Sequence, residues 1–271
     1  MKKILDQGKE NLLDLEGEKM ETPKLIDENG KRLDGRAIDE LRPIAIKARV
    51  LNNADGSAFI RWGKNKILVA VYGPRECIPK HEASPYRAQL RCRYTMAPFC
   101  SLEEHGKTGP SRRSLELSKI ISETFEKIVI AENFPKTAID VYIDVLQSDG
   151  GTRCAAVTAT SVALADAGIP LKDMVAAVAV GKIENKIVLD LSKDEDNYGQ
   201  SDNPIAMSIR DEQILLYQMD GLLTKEEIKM GLELASNAIK KIAKLQLEAL
   251  NEAYLPTHNR FLDMNVEQKK I

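Results

Sequence analysis

The chain has 271 residues, of which 43% are hydrophobic and 30% charged, and its 39 basic and 41 acidic side chains leave a net charge of -2. That composition supports a sizeable core in one large domain or two small ones and excludes fibrous and wholly disordered classes. No apolar run approaches the ~20 residues of a membrane span, and a globally basic nucleic-acid binder is excluded, so any affinity for a polyanion must come from a local patch or from partner chains.

Residues 1–30 are polar, charged and closed by a DENG turn signal. They read as an N-terminal extension with one short amphipathic helix, and their lack of an apolar signal region makes the cytoplasm the expected location. Residues 31–255 read as one compact domain. It opens with three strands, PIAIKARVL, GSAFIRWG and KNKILVAVYGP, joined by the turns NNADG and GKN into an antiparallel meander. RAQLRCRYTMAPF adds a strand. In the next segment Leu117, Ile121, Phe125 and Ile128 share one helical face. KTAIDVYIDVLQ alternates as a strand, with Ile139, Val141, Ile143 and Val145 on one side. GTRCAAVTATSVALADAG is a helix rich in small residues, closed by Gly168. A hairpin turning at Glu184-Asn185 follows, then a polar loop, SKDEDNYGQSDNP, and a second hairpin, IAMSIRDEQILLYQMDG. Thr224 and Glu227 form a capping box for a long helix with Ile228, Leu232, Ala235, Ile239 and Ile242 along one face. Residues 256–271, which begin with Pro256, read as a C-terminal tail. Strand runs mixed with three main helices predict an α+β fold of mixed sheets packed with helices, not alternating βαβ units.

None of the four cysteines forms a C-x-x-C pair, so reduced thiols are expected. His81, His105 and His258 lie far apart, and a histidine metal site would need other ligand types.

Three segments could carry chemistry. In SDGGTRCAA two glycines precede a helix that opens with Thr152 and Arg153. Free N–H groups, the helix dipole, a hydroxyl and a guanidinium make a phosphate cradle. A plain strand-to-helix turn with Thr152 as its cap has the same pattern. In DEDNYGQSD, Asp194, Glu195, Asp196 and Asp202 crowd one segment. Hard oxygen ligands of this kind suit Mg²⁺. Asp196 and Asp202 would meet only if the chain folds back at Gly199, and the alternative is a solvated acidic loop. In GPSRRSLEL, Arg112 and Arg113 occupy the first turn of a helix, where cations are electrostatically disfavoured. A polyanion nearby would account for them, as would ion pairs with the acidic segment or a partner chain. Lys80-His81 is a weaker feature in a turn between strands. No nucleophile–base triad and no Walker motif occur. Together the three segments describe a site for phosphoryl transfer.

RLDGR, ELRPI, GSAFIRWGKNKILVAVYGP, RCRYTMAPF, PSRRSLELSK, QSDGGTRCAA and DEDNYGQSDNPIAM, in that order and spacing, resemble the RNase PH family over some 220 residues, in its archaeal-exosome catalytic branch. The resemblance implies the RNase PH fold, related to the ribosomal protein S5 domain 2-like superfamily. It implies degradation of RNA from the 3′ end by phosphorolysis, with inorganic phosphate as co-substrate, nucleoside diphosphates as products and 3′ tailing as the reverse reaction. By match to the family's motifs, Arg112 and Arg113 contact the RNA 3′ end, and Arg113 also lies where phosphate binds. Gly151, Thr152 and Arg153 form the phosphate site, with Thr152 where serine is common. Asp196 and Asp202 are the catalytic aspartates that bind Mg²⁺ or Mn²⁺, and Asp202 is also implied to protonate the leaving 3′ oxygen. Lys80 and His81 line the RNA entry pore. The implied partners are a paralogous non-catalytic subunit, in an alternating hexameric ring, and RNA-binding cap proteins. A homohexameric RNase PH that trims tRNA 3′ ends is an alternative. A ring subunit that binds RNA without activity is another, but it is expected to lack the aspartate pair or the Gly-Thr-Arg site, and this chain has both.

Overall fold

The computed structural model describes residues 25–27, 30–101 and 111–267, and the side chains only as far as residue 254. The N-terminal helix expected before residue 25, together with His105, Lys107 and the His258 side chain, lies outside the described residues.

The meander forms as the alternation predicts. Strands β1 (Ile44–Ala48), β2 (Gly56–Trp62) and β3 (Asn65–Glu76) pair antiparallel in sequence order. β5 (Thr137–Gln147) pairs antiparallel with β3 and puts Ile139, Val141, Ile143 and Val145 wholly in the core. β4 (Gln89–Met96) pairs parallel with β5 at the sheet edge, in the order β1-β2-β3-β5-β4. Parallel neighbours need a crossover. It is made by helix α1 (Arg112–Glu126), which buries Leu117, Ile121 and Phe125 and packs on β4. The fold thus contains this β-α-β crossover within mixed sheets, in keeping with an α+β fold that is not built of alternating βαβ units.

Helix α2 (Thr152–Asp166) is buried on nearly all sides, because it lies between this sheet and a second one. Its small residues, Ala155, Ala156, Ala159 and Ala163, let both sheets approach closely. The second sheet holds β6 (Val175–Ile183), β7 (Lys186–Leu189), β8 (Ser201–Ser208), β9 (Ile214–Tyr217) and β10 (Asp220–Gly221). Its order is β10-β8-β6-β7, with β9 also on β8. The expected polar loop is instead a short helix, α3 (Lys193–Tyr198), followed directly by β8. Ser192 and Glu195 form the capping box that starts α3.

Helix α4 (Lys225–Glu267) begins at the predicted capping box, where Thr224 N–H donates to Glu227 Oε2 at 2.8 Å and Glu227 N–H to Thr224 Oγ1 at 3.2 Å. It packs along β6 and β1, and its backbone stays helical past Pro256, where the sequence reading ends the domain. All four cysteines are free. No helix among the described residues is long and apolar enough to cross a membrane.

Candidate active site

A cavity of about 450 Å³ opens where the two sheets and α2 meet. Its lining includes Arg113, Gly151, Thr152, Arg153, Asp196 and Asp202. Six stretches of chain supply the walls: the start of α1, the turn into α2, β6, α3, the β8 strand and the β9–β10 turn.

The turn into α2 is made by Gly150 and Gly151, at φ 72° and 66°, a left-handed conformation that favours glycine. A Cβ on Gly150 would come within 2.6 Å of the Ser192 carbonyl carbon, so the cradle backbone lies directly against the start of α3. Gly151, not Thr152, occupies the cap position of α2, and no side chain satisfies that helix end. The first N–H groups of α2 are therefore open to an anion. Thr152 Oγ1 instead accepts a hydrogen bond from the Tyr94 hydroxyl at 3.0 Å. Arg153 Nη1 donates to Gln218 Oε1 at 2.6 Å, which aims the guanidinium along the cavity wall.

A buried ionic frame holds the cradle and α3. Arg42 donates to both oxygens of Asp190, at 3.1 and 2.7 Å, and to the carbonyls of Asp149 and Gly150 at 2.6 and 3.3 Å. Trp62 Nε1 donates to the same Asp190 at 2.9 Å. Burial pushes the Asp190 carboxyl up, but Arg42 and Trp62 hold it below the usual carboxylate range. Arg32, from the RLDGR motif, grips Glu195 in a two-pronged pair, with Nε to Oε1 at 2.6 Å, and also bonds the carbonyls of Leu189 and Asp190. Arg32 and Glu195 are both buried, so Glu195 belongs to the frame, although its sequence context reads as a solvated acidic loop. Glu195 also closes the capping box of α3, so the pair anchors the start of the helix whose Asp196 lines the cavity.

Asp196 and Asp202 line the same cavity, with the chain folded back at Gly199 between them. A Cβ at Gly199 would lie 2.3 Å from the Glu195 carbonyl oxygen, so only glycine allows the chain to pass so close. Burial pushes the Asp196 carboxyl up against the pull of Arg113 and Arg153. Burial, with Asp196 and Asp220 adding like charge, pushes Asp202 up to about 6. Asp202 Oδ1 is buried without a hydrogen-bond partner. A bare acceptor beside a second carboxylate suits a cation. Among the described residues no three His, Cys, Asp or Glu side chains group as a metal cage. A divalent ion held here would take its remaining ligands from water or substrate oxygens.

The other predicted site residues lie elsewhere. Arg112 is exposed at the start of α1, outside the cavity lining. Lys80 and His81 form an exposed single turn between β3 and β4, where Lys80 Nζ pairs with Glu76 at 2.8 Å. Within the basic stretch around β4, Arg91 is engaged internally with Gln89, Glu82 and the Ile78 carbonyl. Sequence reasoning missed Gln218, Asp220 and Tyr94. The first two reach the cavity because β10 pairs with β8, with Asp220 opposite Asp202. In the sequence they were the plain end of a hairpin.

Two sheets around a buried helix, with arginines, a glycine turn and two carboxylates lining one cavity, give the architecture of a polar enzyme site. The models of the 3′ exoribonuclease family match the chain at residues 40–170, for domain 1, and 173–238, for domain 2. The chain belongs to the RNase PH family of 3′ exoribonucleases. It is 60% identical over 237 residues to the exosome complex component Rrp41 of Pyrococcus furiosus, a match covering 88% of this chain and 94% of that one. Rrp41 of Thermoplasma acidophilum is 52% identical over 231 residues, covering 85% and 93%. Among solved structures, rice Rrp46 superposes with a TM-score of 0.73 at 26% identity, covering 81% of this chain and all of that one.

Proposed function

We propose that this chain is the active, phosphorolytic subunit of an archaeal exosome ring in the cytoplasm, degrading RNA from its 3′ end. The observation that carries the reading is one cavity in which Arg113, Arg153 and the Gly151–Thr152 cradle face Asp196 and Asp202. Phosphorolysis must bring two anions, phosphate and a phosphodiester, within bonding distance. The guanidiniums and the free N–H groups of α2 offset that repulsion, and holding both groups in line supplies much of the remaining rate. A phosphate oxygen attacks the terminal phosphorus, the bond to the 3′ oxygen breaks, and a nucleoside diphosphate departs. Burial and the neighbouring carboxylates hold the Asp202 carboxyl above its ordinary value, which fits it better than an ordinary aspartate to protonate the leaving 3′ oxygen. Asp196 and Asp202 would hold Mg²⁺ or Mn²⁺, which when bound stabilises charge developing on the phosphoryl oxygens. Arg112, Lys80 and His81, all exposed, are available to guide the incoming strand.

A net charge of -2 lets one chain neutralise few phosphates, which favours sharing the RNA path with a paralogous subunit and with cap proteins. The test is product analysis on 5′-labelled RNA, with the chain alone and with its paralogue. Nucleoside diphosphates are expected, only with phosphate present and most efficiently from the mixed ring. Monophosphates released in phosphate-free buffer would overturn phosphorolysis. A fully active homohexamer of this chain alone would favour the tRNA-trimming alternative.

A further inference from the structure

Tyr94 lies on β4, outside every motif to which the sequence assigns chemistry, and it is only 1% exposed. Its backbone N–H is pinned to Ser118 Oγ of α1 at 2.9 Å, so the residue sits between the helix that carries Arg113 and the cradle. Its hydroxyl reaches Thr152 Oγ1 at 3.0 Å. Two hydroxyls in contact can share either hydrogen. If Thr152 donated, the phenolic hydrogen would be buried with no acceptor, an arrangement that native interiors avoid. If Tyr94 donates, the buried phenol is satisfied and the threonine hydrogen is left free to turn to the cavity.

We propose that Tyr94 is a positioning residue for the phosphate site: it donates to Thr152 Oγ1 and so commits the threonine's own hydrogen to an anion in the cavity. Thr152 lines that cavity beside Gly151 and Arg153, so the freed hydrogen can turn to a bound anion in place of water. Burial raises the Tyr94 pKa, outweighing the opposing bond to Thr152, and this keeps the phenol a donor at working pH. A hydroxyl whose acceptor lone pair is already engaged also discriminates. It presents a hydrogen to phosphate and is a poor acceptor for a competing donor. The proposal rests on the reading of Thr152 as a phosphate ligand.

The test is a kinetic cycle with Tyr94→Phe, Thr152→Val and the double variant, each assembled with the paralogous subunit. The quantities read are the half-saturating phosphate concentration, the KM for RNA and the thermal midpoint. Tyr94→Phe should raise half-saturating phosphate about tenfold, as expected for weakening one hydrogen bond to a charged group. The rate at saturating phosphate and the KM for RNA should stay within about twofold. In the Thr152→Val background Tyr94→Phe should add nothing, since the two act through one hydrogen. Placing 3-fluorotyrosine at position 94 keeps the shape and strengthens the donor, so half-saturating phosphate should fall. An unchanged phosphate dependence in Tyr94→Phe, or the same penalty in both backgrounds, would overturn the proposal while leaving the functional reading intact. A wild-type ring whose RNA degradation ignores phosphate would overturn the reading, and the proposal with it.

Discussion

Replacing Asp202 by asparagine should abolish turnover and, at the same time, stabilise the metal-free protein. The Asp202 carboxyl is pushed from its ordinary 3.8 up to about 6 by burial first, then by Asp196 and Asp220. The folded state therefore holds this proton more tightly than the unfolded chain does. The stabilising contribution is full below pH 3.8 and is lost as pH rises through about 6, so above that range the ionised carboxylate weighs against folding. At about 1.4 kcal/mol per pH unit, the interval from 3.8 to about 6 corresponds to roughly 3 kcal/mol. Water reaching the open cavity reduces this to about 1–2 kcal/mol. Asparagine keeps the shape and removes the charge. In urea unfolding with EDTA, Asp202→Asn should gain about 1–2 kcal/mol near pH 8 and only a few tenths near pH 4. An equal gain at both pH values would assign the effect to packing. No gain near pH 8 would refute the strained carboxylate pair.

The remaining predictions concern the frame and the arginines. Glu195→Ala leaves Arg32 buried and unpaired, and should cost about 3–5 kcal/mol in chemical unfolding; a loss under 1 kcal/mol would mean Arg32 finds water. Asp196→Ala should eliminate degradation while gel-shift affinity for RNA persists, because the arginines are untouched; near-normal rates at saturating Mg²⁺ would return Asp196 to a solvated role. Arg112→Glu with Arg113→Glu should weaken RNA binding and lower the salt dependence by ~0.7 in slope for each RNA phosphate that is no longer neutralised; an unchanged slope would assign the pair to the fold or an interface.

What could be read from the sequence is what neighbours along the chain decide. Alternation in KTAIDVYIDVLQ marks a strand because period-2 burial is a property of consecutive residues, and the Thr224–Glu227 box starts α4 through hydrogen bonds between residues three apart. Gly150-Gly151-Thr152-Arg153 marks a glycine turn into a helix start for the same reason, since turn and helix start are one continuous piece of chain. Tertiary structure alone decided the rest. Residues 193–198 read as a solvated acidic loop, but they form a helix whose Glu195 is buried against Arg32, 163 residues away. Asp220 and Gln218 join the cavity only because β10 pairs with β8, and Tyr94 reaches Thr152 only because β4 lies beside the start of α2. A charge or hydroxyl carries no mark of its partner when that partner is distant in sequence, and its burial, and hence its role, exists only once the chain has closed around it.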